Sequence, residues 1–184
     1  MRIISGQAKG RRLKTPKGSA IRPTTGLVRG AIFSMLAAQG RPWSRVLELY
    51  AGTGALGIEA LSRGAEKADF VEHDARCCAA VKENLVSMEL AEKAHVFCCD
   101  VGKALVFLEA EYDIILLDPP YSKVSLDKLL ARLVVSKAAA ACSTIVVQHS
   151  FRQQLQPSYN GMVLLRQRRY GDTCVSMYSK EALV

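Results

Sequence analysis

From residue 45 onward, apolar runs of strand length alternate with longer segments of helical period, and this alternation most narrows the folds open to the chain. Strands are expected at 45–50, 68–72, 95–98 and 112–117, with helices at 55–63, 75–88 and 101–110 between them. Only a parallel sheet with helices on both faces, joined by right-handed crossovers, accommodates that order. A further helix at 125–140 and a buried strand at 144–148 extend the pattern. The segments 162–168 and 173–179 then face each other across Tyr170-Gly171-Asp172, which predicts an antiparallel closing pair. The expectation is an α/β fold with a mostly parallel seven-stranded sheet and an antiparallel C-terminal strand. At 184 residues and 49% hydrophobic composition, the chain has room for one such core and not for two.

The strand at 112–117 ends in a stretch with its own chemistry. Residues 112–121 read YDIILLDPPY, an apolar run stopped by two prolines that cannot continue a hydrogen-bonded ladder. Asp118, Pro119, Pro120 and Tyr121 are thereby expected at the carboxyl end of a central strand, where open α/β sheets bind ligands. An exocyclic amine on a nucleobase is a poor nucleophile, because its lone pair is delocalised into the ring. The Asp118 carboxylate and the Pro119 carbonyl are suited to accept its two N–H bonds, and Tyr121 to stack on a base taken out of its helix. An ordinary Asp-Pro turn is the competing interpretation.

The first strand of the alternation runs into Ala51-Gly52-Thr53-Gly54-Ala55-Leu56-Gly57 and then a helix, which satisfies G-x-G-x-x-G in a strand–turn–helix setting. Gly52 and Gly54 let backbone approach a ligand, and Glu72, at the end of the next strand, is placed to accept from ribose hydroxyls. Asp100, just past the third strand, suits an adenine amine. Glu48 separates two cofactors: it would repel a dinucleotide pyrophosphate, whereas it balances the sulfonium or amino group of S-adenosylmethionine. A helix at 25–38, capped by threonine, follows Arg22 and Thr24.

The formal charge of +8 is unevenly spread. Residues 1–47 hold ten Lys or Arg and no acid, and the remainder holds 15 basic and 17 acidic residues. Such a one-sided excess is the electrostatic footprint of a nucleic-acid contact. Two short strands at 2–5 and 11–14 predict a basic N-terminal hairpin, with Arg2, Lys9, Arg11, Arg12 and Lys14 as candidate RNA contacts and residues 1–22 as an appendage to a domain at 23–184. Six cysteines lack the spacing of a zinc site, so free buried thiols and no metal are expected. No run has the length of a membrane span, and a cytoplasmic protein is expected.

Read together, these segments resemble the RsmD family of bacterial small-subunit ribosomal RNA guanine-N2 methyltransferases. The resemblance runs from MRIISGQAKGRRLKTP through RPTT and ELYAGTGALGIEALSRGA to DIILLDPPY and YGDTCVSMYS. It implies a Rossmann-like class I S-adenosylmethionine-dependent methyltransferase fold, with Glu48, Gly52, Gly54, Glu72 and Asp100 holding the cofactor and Arg22-Pro23-Thr24 closing over its methionine end. It also implies that Asp118, Pro119, Pro120 and Tyr121 form the amine-methylating motif. The partner implied is 16S rRNA within a small ribosomal subunit or assembly intermediate, met by a monomer. Gly26, Gly30 and Gln148 depart from the family pattern, which usually has a polar residue, an acid and a glutamate there. Two other readings stand beside this one: methylation of an adenine N6 amine in RNA or DNA, and a non-catalytic RNA-binding assembly factor.

Overall fold

A computed structural model describes residues 1–16, 24–41, 43–120 and 125–180. Its centre is one eight-stranded sheet in the order β3-β2-β1-β4-β5-β8-β7-β6. The strands are β1 (Arg45–Leu49), β2 (Lys67–Glu72), β3 (Ala94–Cys98), β4 (Tyr112–Leu117), β5 (Ala139–Ser150), β6 (Ser158–Tyr159), β7 (Met162–Tyr170) and β8 (Thr173–Lys180). β1 pairs in parallel with β2 on one side and β4 on the other, β2 with β3, and β4 with β5. The last three strands are antiparallel to their neighbours. The expected seven strands become eight, because Ser158 and Tyr159 add a two-residue strand to the edge beside β7. So short an element carries no periodic signal in sequence.

Helices α1 (Gly26–Ala37), α2 (Ala55–Ser62), α3 (Ala75–Ser87), α4 (Val101–Phe107) and α5 (Leu126–Leu133) cover the sheet. Side chains alternate across each strand, and β4 divides accordingly. Ile114 and Leu116 join a core with α1, α2 and α3, while Ile115 and Leu117 join a second core with α4 and α5. Thr25 caps α1, its hydroxyl accepting from the Val28 N–H, and Asp74 and Asp100 cap α3 and α4 in the same way. The helix expected at 125–140 is far shorter. Its buried leucine stripe, Leu126, Leu129, Leu130 and Leu133, ends there, and the alanines at 139–141 belong to β5, where Ala139 pairs with Tyr112. Sheet pairing thus overrides their helical propensity.

The N-terminal hairpin is held by a single bridge, Arg2 to Arg12, with the Ile3 N–H donating to the Arg11 carbonyl at 3.0 Å. A lone hairpin is marginal in water. This one buries Ile3, Ala8 and Leu13 in the core beneath α1 and α2. Buried polar groups fix it in place: the Glu59 carboxylate accepts from the Ile4 and Ser5 N–H groups at 2.8 and 3.0 Å, and the Ser62 hydroxyl accepts from Ala8 N–H at 2.9 Å. All six cysteines are free, but only Cys77, Cys78 and Cys174 are buried, whereas Cys98 and Cys142 are exposed. Among the described residues, no helix is long and apolar enough to cross a membrane.

Candidate functional site

Between β1 and β4 the strand order reverses, since β2 and β3 lie to one side of β1 and β4 and β5 to the other. Crevices at such a switch point, outside the carboxyl ends of the strands, are where doubly wound sheets bind ligands. Four strands end there with the residues singled out by the sequence: Gly52 and Gly54 after β1, Glu72 closing β2, Asp100 after β3 and Asp118 after β4. The turn out of β1 is sharply bent. Tyr50, Gly52 and Gly54 all adopt positive φ, at 60°, 55° and 74°. A Cβ on Gly57 would lie 2.4 Å from the Phe70 ring, so glycine there lets α2 sit directly on β2.

Carboxylates line this crevice. Glu72 accepts the Gly52 N–H at 2.9 Å through one oxygen and the His73 and Asp74 N–H groups, at 2.8 and 2.9 Å, through the other. It therefore ties the glycine turn to the end of β2. Glu48 is 2% exposed, and its two oxygens accept from Leu56 N–H at 3.1 Å and Gly57 N–H at 2.8 Å, in the first turn of α2. Burial pushes its carboxyl up to about 8. The two backbone donors pull it back, and the charges of Asp118 and Glu72 add to the rise. Sequence placed Glu48 against a cation; in the structure both of its oxygens are engaged by the first turn of α2, and burial favours its protonated form. Asp100 is exposed and accepts the Gly102 N–H at 2.7 Å. Tyr50 is half-buried, its hydroxyl pushed up to about 12 by burial and by the Asp100 charge.

Asp118 stands half-buried at the end of β4 and accepts a hydrogen bond of 2.5 Å from the Thr24 hydroxyl. Thr24, itself buried, precedes α1, so the contact joins two segments 94 residues apart. Pro119 is buried and Pro120 exposed. Tyr121 and Arg22 lie outside the described residues. Of the hairpin cations, Arg2 donates to the Gly10 carbonyl at 2.7 Å, while Lys9 and Arg12 are exposed. Arg11 pairs with Glu89 at 3.5 Å and donates to the Ser87 carbonyl; Lys14 pairs with Glu83 at 3.2 Å.

Two buried residues connect these parts: Asn84, which sequence reading passed over, and Arg29, which it placed one turn into α1 without a partner. Asn84 of α3 is fully buried: its amide donates to the Lys14 and Thr53 carbonyls, both at 3.1 Å, and its oxygen accepts from Lys14 N–H at 2.8 Å. One side chain thus clamps the end of the hairpin to the glycine turn. Arg29 of α1, 2% exposed, donates to the Arg2 carbonyl at 2.6 Å and feels the charges of Glu59 and Glu48. Its Nε and Nη1 have no hydrogen-bond partner among the described residues. Helical spacing marks Arg29 as inward-facing beside Val28 and Ile32, which was the available signal; Asn84 gave none.

A row of acids over a glycine turn suits a cationic nucleoside and disfavours a pyrophosphate. The family model described as "Conserved hypothetical protein 95" matches residues 1–179. The chain belongs to this, the RsmD family. It is 39% identical over 186 residues to YlbH of Bacillus subtilis, which carries the provisional name of an rRNA methyltransferase; the match covers 98% of this chain and 99% of that one. Ribosomal RNA small subunit methyltransferase D of Escherichia coli is 31% identical over 182 residues, covering 99% and 91%. Among solved structures, the Escherichia coli protein yhhF, provisionally described as a methyltransferase, superposes with a TM-score of 0.86 at 29% identity, covering 99% of this chain and 98% of that one. The fold is accordingly the Rossmann-like class I methyltransferase fold.

Within this RsmD-family chain, two of the departures from the family pattern lie in α1 and the third in β5, one residue beyond Val147, which is level with Leu117 of β4. A Cβ on Gly26 or Gly30 would meet nothing within 4 Å. Gln148 is buried in β5, paired with Val175 of β8.

Proposed function

We propose that the protein transfers a methyl group from S-adenosylmethionine to the exocyclic N2 amine of a guanine in small-subunit rRNA, presented on a ribosomal particle. The observation that carries this reading is the position of Asp118 and Pro119 at the carboxyl end of β4, beside the acid-lined glycine turn at the switch point. The names of YlbH and of the Escherichia coli relative support rRNA as the substrate class. In this reading Glu72 holds ribose hydroxyls, Asp100 an adenine amine, and Gly52 and Gly54 admit the cofactor close to backbone, with Thr24 and Arg22 at its methionine end. The cofactor supplies an electrophilic methyl on a cationic sulfur.

The chain's own work is orientation. The Asp118 carboxylate and the Pro119 carbonyl accept the two amine hydrogens and aim the nitrogen, Tyr121 stacks on the flipped base, and Thr24 fixes the Asp118 rotamer. Pro120 stiffens the turn. The hairpin cations Arg2, Lys9, Arg11, Arg12 and Lys14 contact RNA phosphates, and residues 1–22 form the RNA-contacting appendage of the methyltransferase domain at 23–184. Incorporation of tritiated methyl into rRNA, supplied as assembled subunits and as deproteinised RNA, tests the proposal when followed by nucleoside identification. N2-methylguanosine from the assembled form is expected. N6-methyladenosine would move the target to adenine, and no incorporation into either form would leave an RNA-binding assembly factor.

A further inference from the structure

The positive charge of the N-terminal segment hides a second basic stretch. Between Asp127 and Asp172 the sequence contains no acid, yet it holds Lys128, Arg132, Lys137, Arg152, Arg166, Arg168 and Arg169. Summed over the chain beyond residue 47, these charges disappear against the acid-rich middle. The fold separates them again. Arg166, Arg168 and Arg169 lie exposed along β7, and Arg152 follows β5. No ion pair to a carboxylate is formed by any of the four among the described residues, whereas Arg11 and Lys14 of the hairpin are paired.

Register places this edge level with the proposed catalytic turn. Leu117 is level with Val147, one residue before Gln148; Gln148 pairs with Val175, and Val175 with Arg168. Asp118 and Arg168 therefore lie at one height, three strands apart, or roughly 15 Å at about 4.8 Å per strand. Arg166 and Arg168 oppose Met177 and Val175, whose side chains belong to the core shared with the hairpin and α1. Directly paired residues leave a sheet on the same face, so both arginines emerge on the hairpin's side. Arg169 emerges on the other. It is fixed over the Phe151 ring at 4.0 Å, with Arg152 also over that ring at 5.6 Å, and donates to the Gly171 carbonyl at 2.7 Å. Such stacking pre-orders a guanidinium while leaving donors for an anion. β6 pairs only with Met162 and Val163, so from Arg166 onward the outer edge of β7 has no strand beside it among the described residues.

We propose that this arginine edge, formed by Arg152, Arg166, Arg168 and Arg169, is a second RNA-binding surface that holds the phosphate backbone on the side of the catalytic turn defined by β5 and β7. The inference rests on the functional reading above and extends it: the RNA is gripped from two places, the hairpin and the β7 edge. Phosphates are the occupant because the edge offers four exposed guanidiniums in no ion pair among the described residues, against one exposed acid, Asp172, in the adjoining turn; a partner strand from another protein would find like charges along the edge it had to cover.

The test compares the full-length protein with R166Q/R168Q/R169Q, measuring affinity for single-stranded rRNA fragments across a salt series, S-adenosylmethionine affinity, and methylation kinetics on assembled subunits. Loss of three phosphate contacts should flatten the plot of log affinity against log salt by about 2 and weaken binding roughly tenfold or more near physiological salt. KM for the particle should rise while cofactor affinity and kcat stay at the wild-type values, a split that a general folding defect would not give. A hairpin variant, R11Q/R12Q/K14Q, should lower the slope separately, and combining the two sets should lower it further. If the wild type methylates rRNA and the β7 variant keeps its salt slope and KM, this inference is overturned while the function stands. If the wild type neither binds nor methylates RNA, the functional reading falls first and this one with it.

Discussion

Replacing Glu48 by glutamine should change how stability depends on pH, and the size of the effect follows from the burial of one carboxyl. Unfolded, that group titrates near 4.5; folded, burial moves it to about 8 against the pull of the Gly57 and Leu56 N–H groups. Between those limits the native protein keeps a proton that the unfolded chain has lost, so native stability must fall as pH rises. The stability is fully present below about 4.5 and is lost as pH climbs through about 8. At about 1.4 kcal/mol per pH unit, the gap amounts to roughly 5 kcal/mol, a large share of a typical domain's stability. Glutamine cannot ionise. The difference in unfolding free energy, wild type minus Glu48→Gln, measured by urea titration from pH 5 to pH 9, should therefore decline by several kcal/mol across that window and level off above it. His149, whose pKa is lowered by burial, contributes stability above about 6.5 that is lost in acid, but it is common to both proteins and cancels. Saturating S-adenosylmethionine should reduce the decline, since a cation above Glu48 favours the ionised form, and should release protons on binding in the wild type beyond those the variant releases. A difference that stays flat within about 1 kcal/mol from pH 5 to pH 9 would show that Glu48 is ionised throughout and refute the argument.

Asp118→Ala should lower kcat by a factor of about 10² or more with cofactor affinity preserved, as expected for a group that aligns the nucleophile; Thr24→Val should give a smaller kcat loss that Thr24→Ser restores, and equal rates for Thr24→Val and wild type would remove the 2.5 Å bond from the mechanism. Asn84→Leu leaves Lys14 N–H and the Lys14 and Thr53 carbonyls without their buried partner, a loss of about 3 kcal/mol or more in denaturant unfolding. Amide exchange at Lys14 should accelerate in the same variant. Gly30→Ala fills open space in the interior of α1 and should stabilise by about 0.5–1 kcal/mol, raising Tm by a few degrees. Gly57→Ala, whose Cβ would sit 2.4 Å from the Phe70 ring and 2.9 Å from a Glu48 oxygen, should destabilise by about 1–3 kcal/mol in the same thermal assay.

What the sequence by itself determined is the part of this protein written in short-range periods. Apolar runs of four to six residues, broken by helical spacing, located β1 to β4 with the helices between them, and the glycines after β1 and the prolines after β4 marked the two turns of the crevice. Those signals are local because backbone geometry repeats within a few residues. Only the tertiary structure decided which partner each buried polar group meets. Thr24 reaches Asp118 across 94 positions, Asn84 reaches Lys14 across 70 and Thr53 across 31, and no periodicity encodes those separations. The same holds for charge. Arg11 and Lys14 read as free cations until α3 and its following turn bring Glu83 and Glu89 beside them, while Arg166, Arg168 and Arg169 were lost in a sum until β7 set them along one edge. Propensity, too, yielded where the sheet had a pairing to offer, as the alanines before Cys142 joined β5 instead of prolonging α5. Strand order, which places distant segments side by side, is fixed by burying whole faces at once, and that is a property of the assembled sheet.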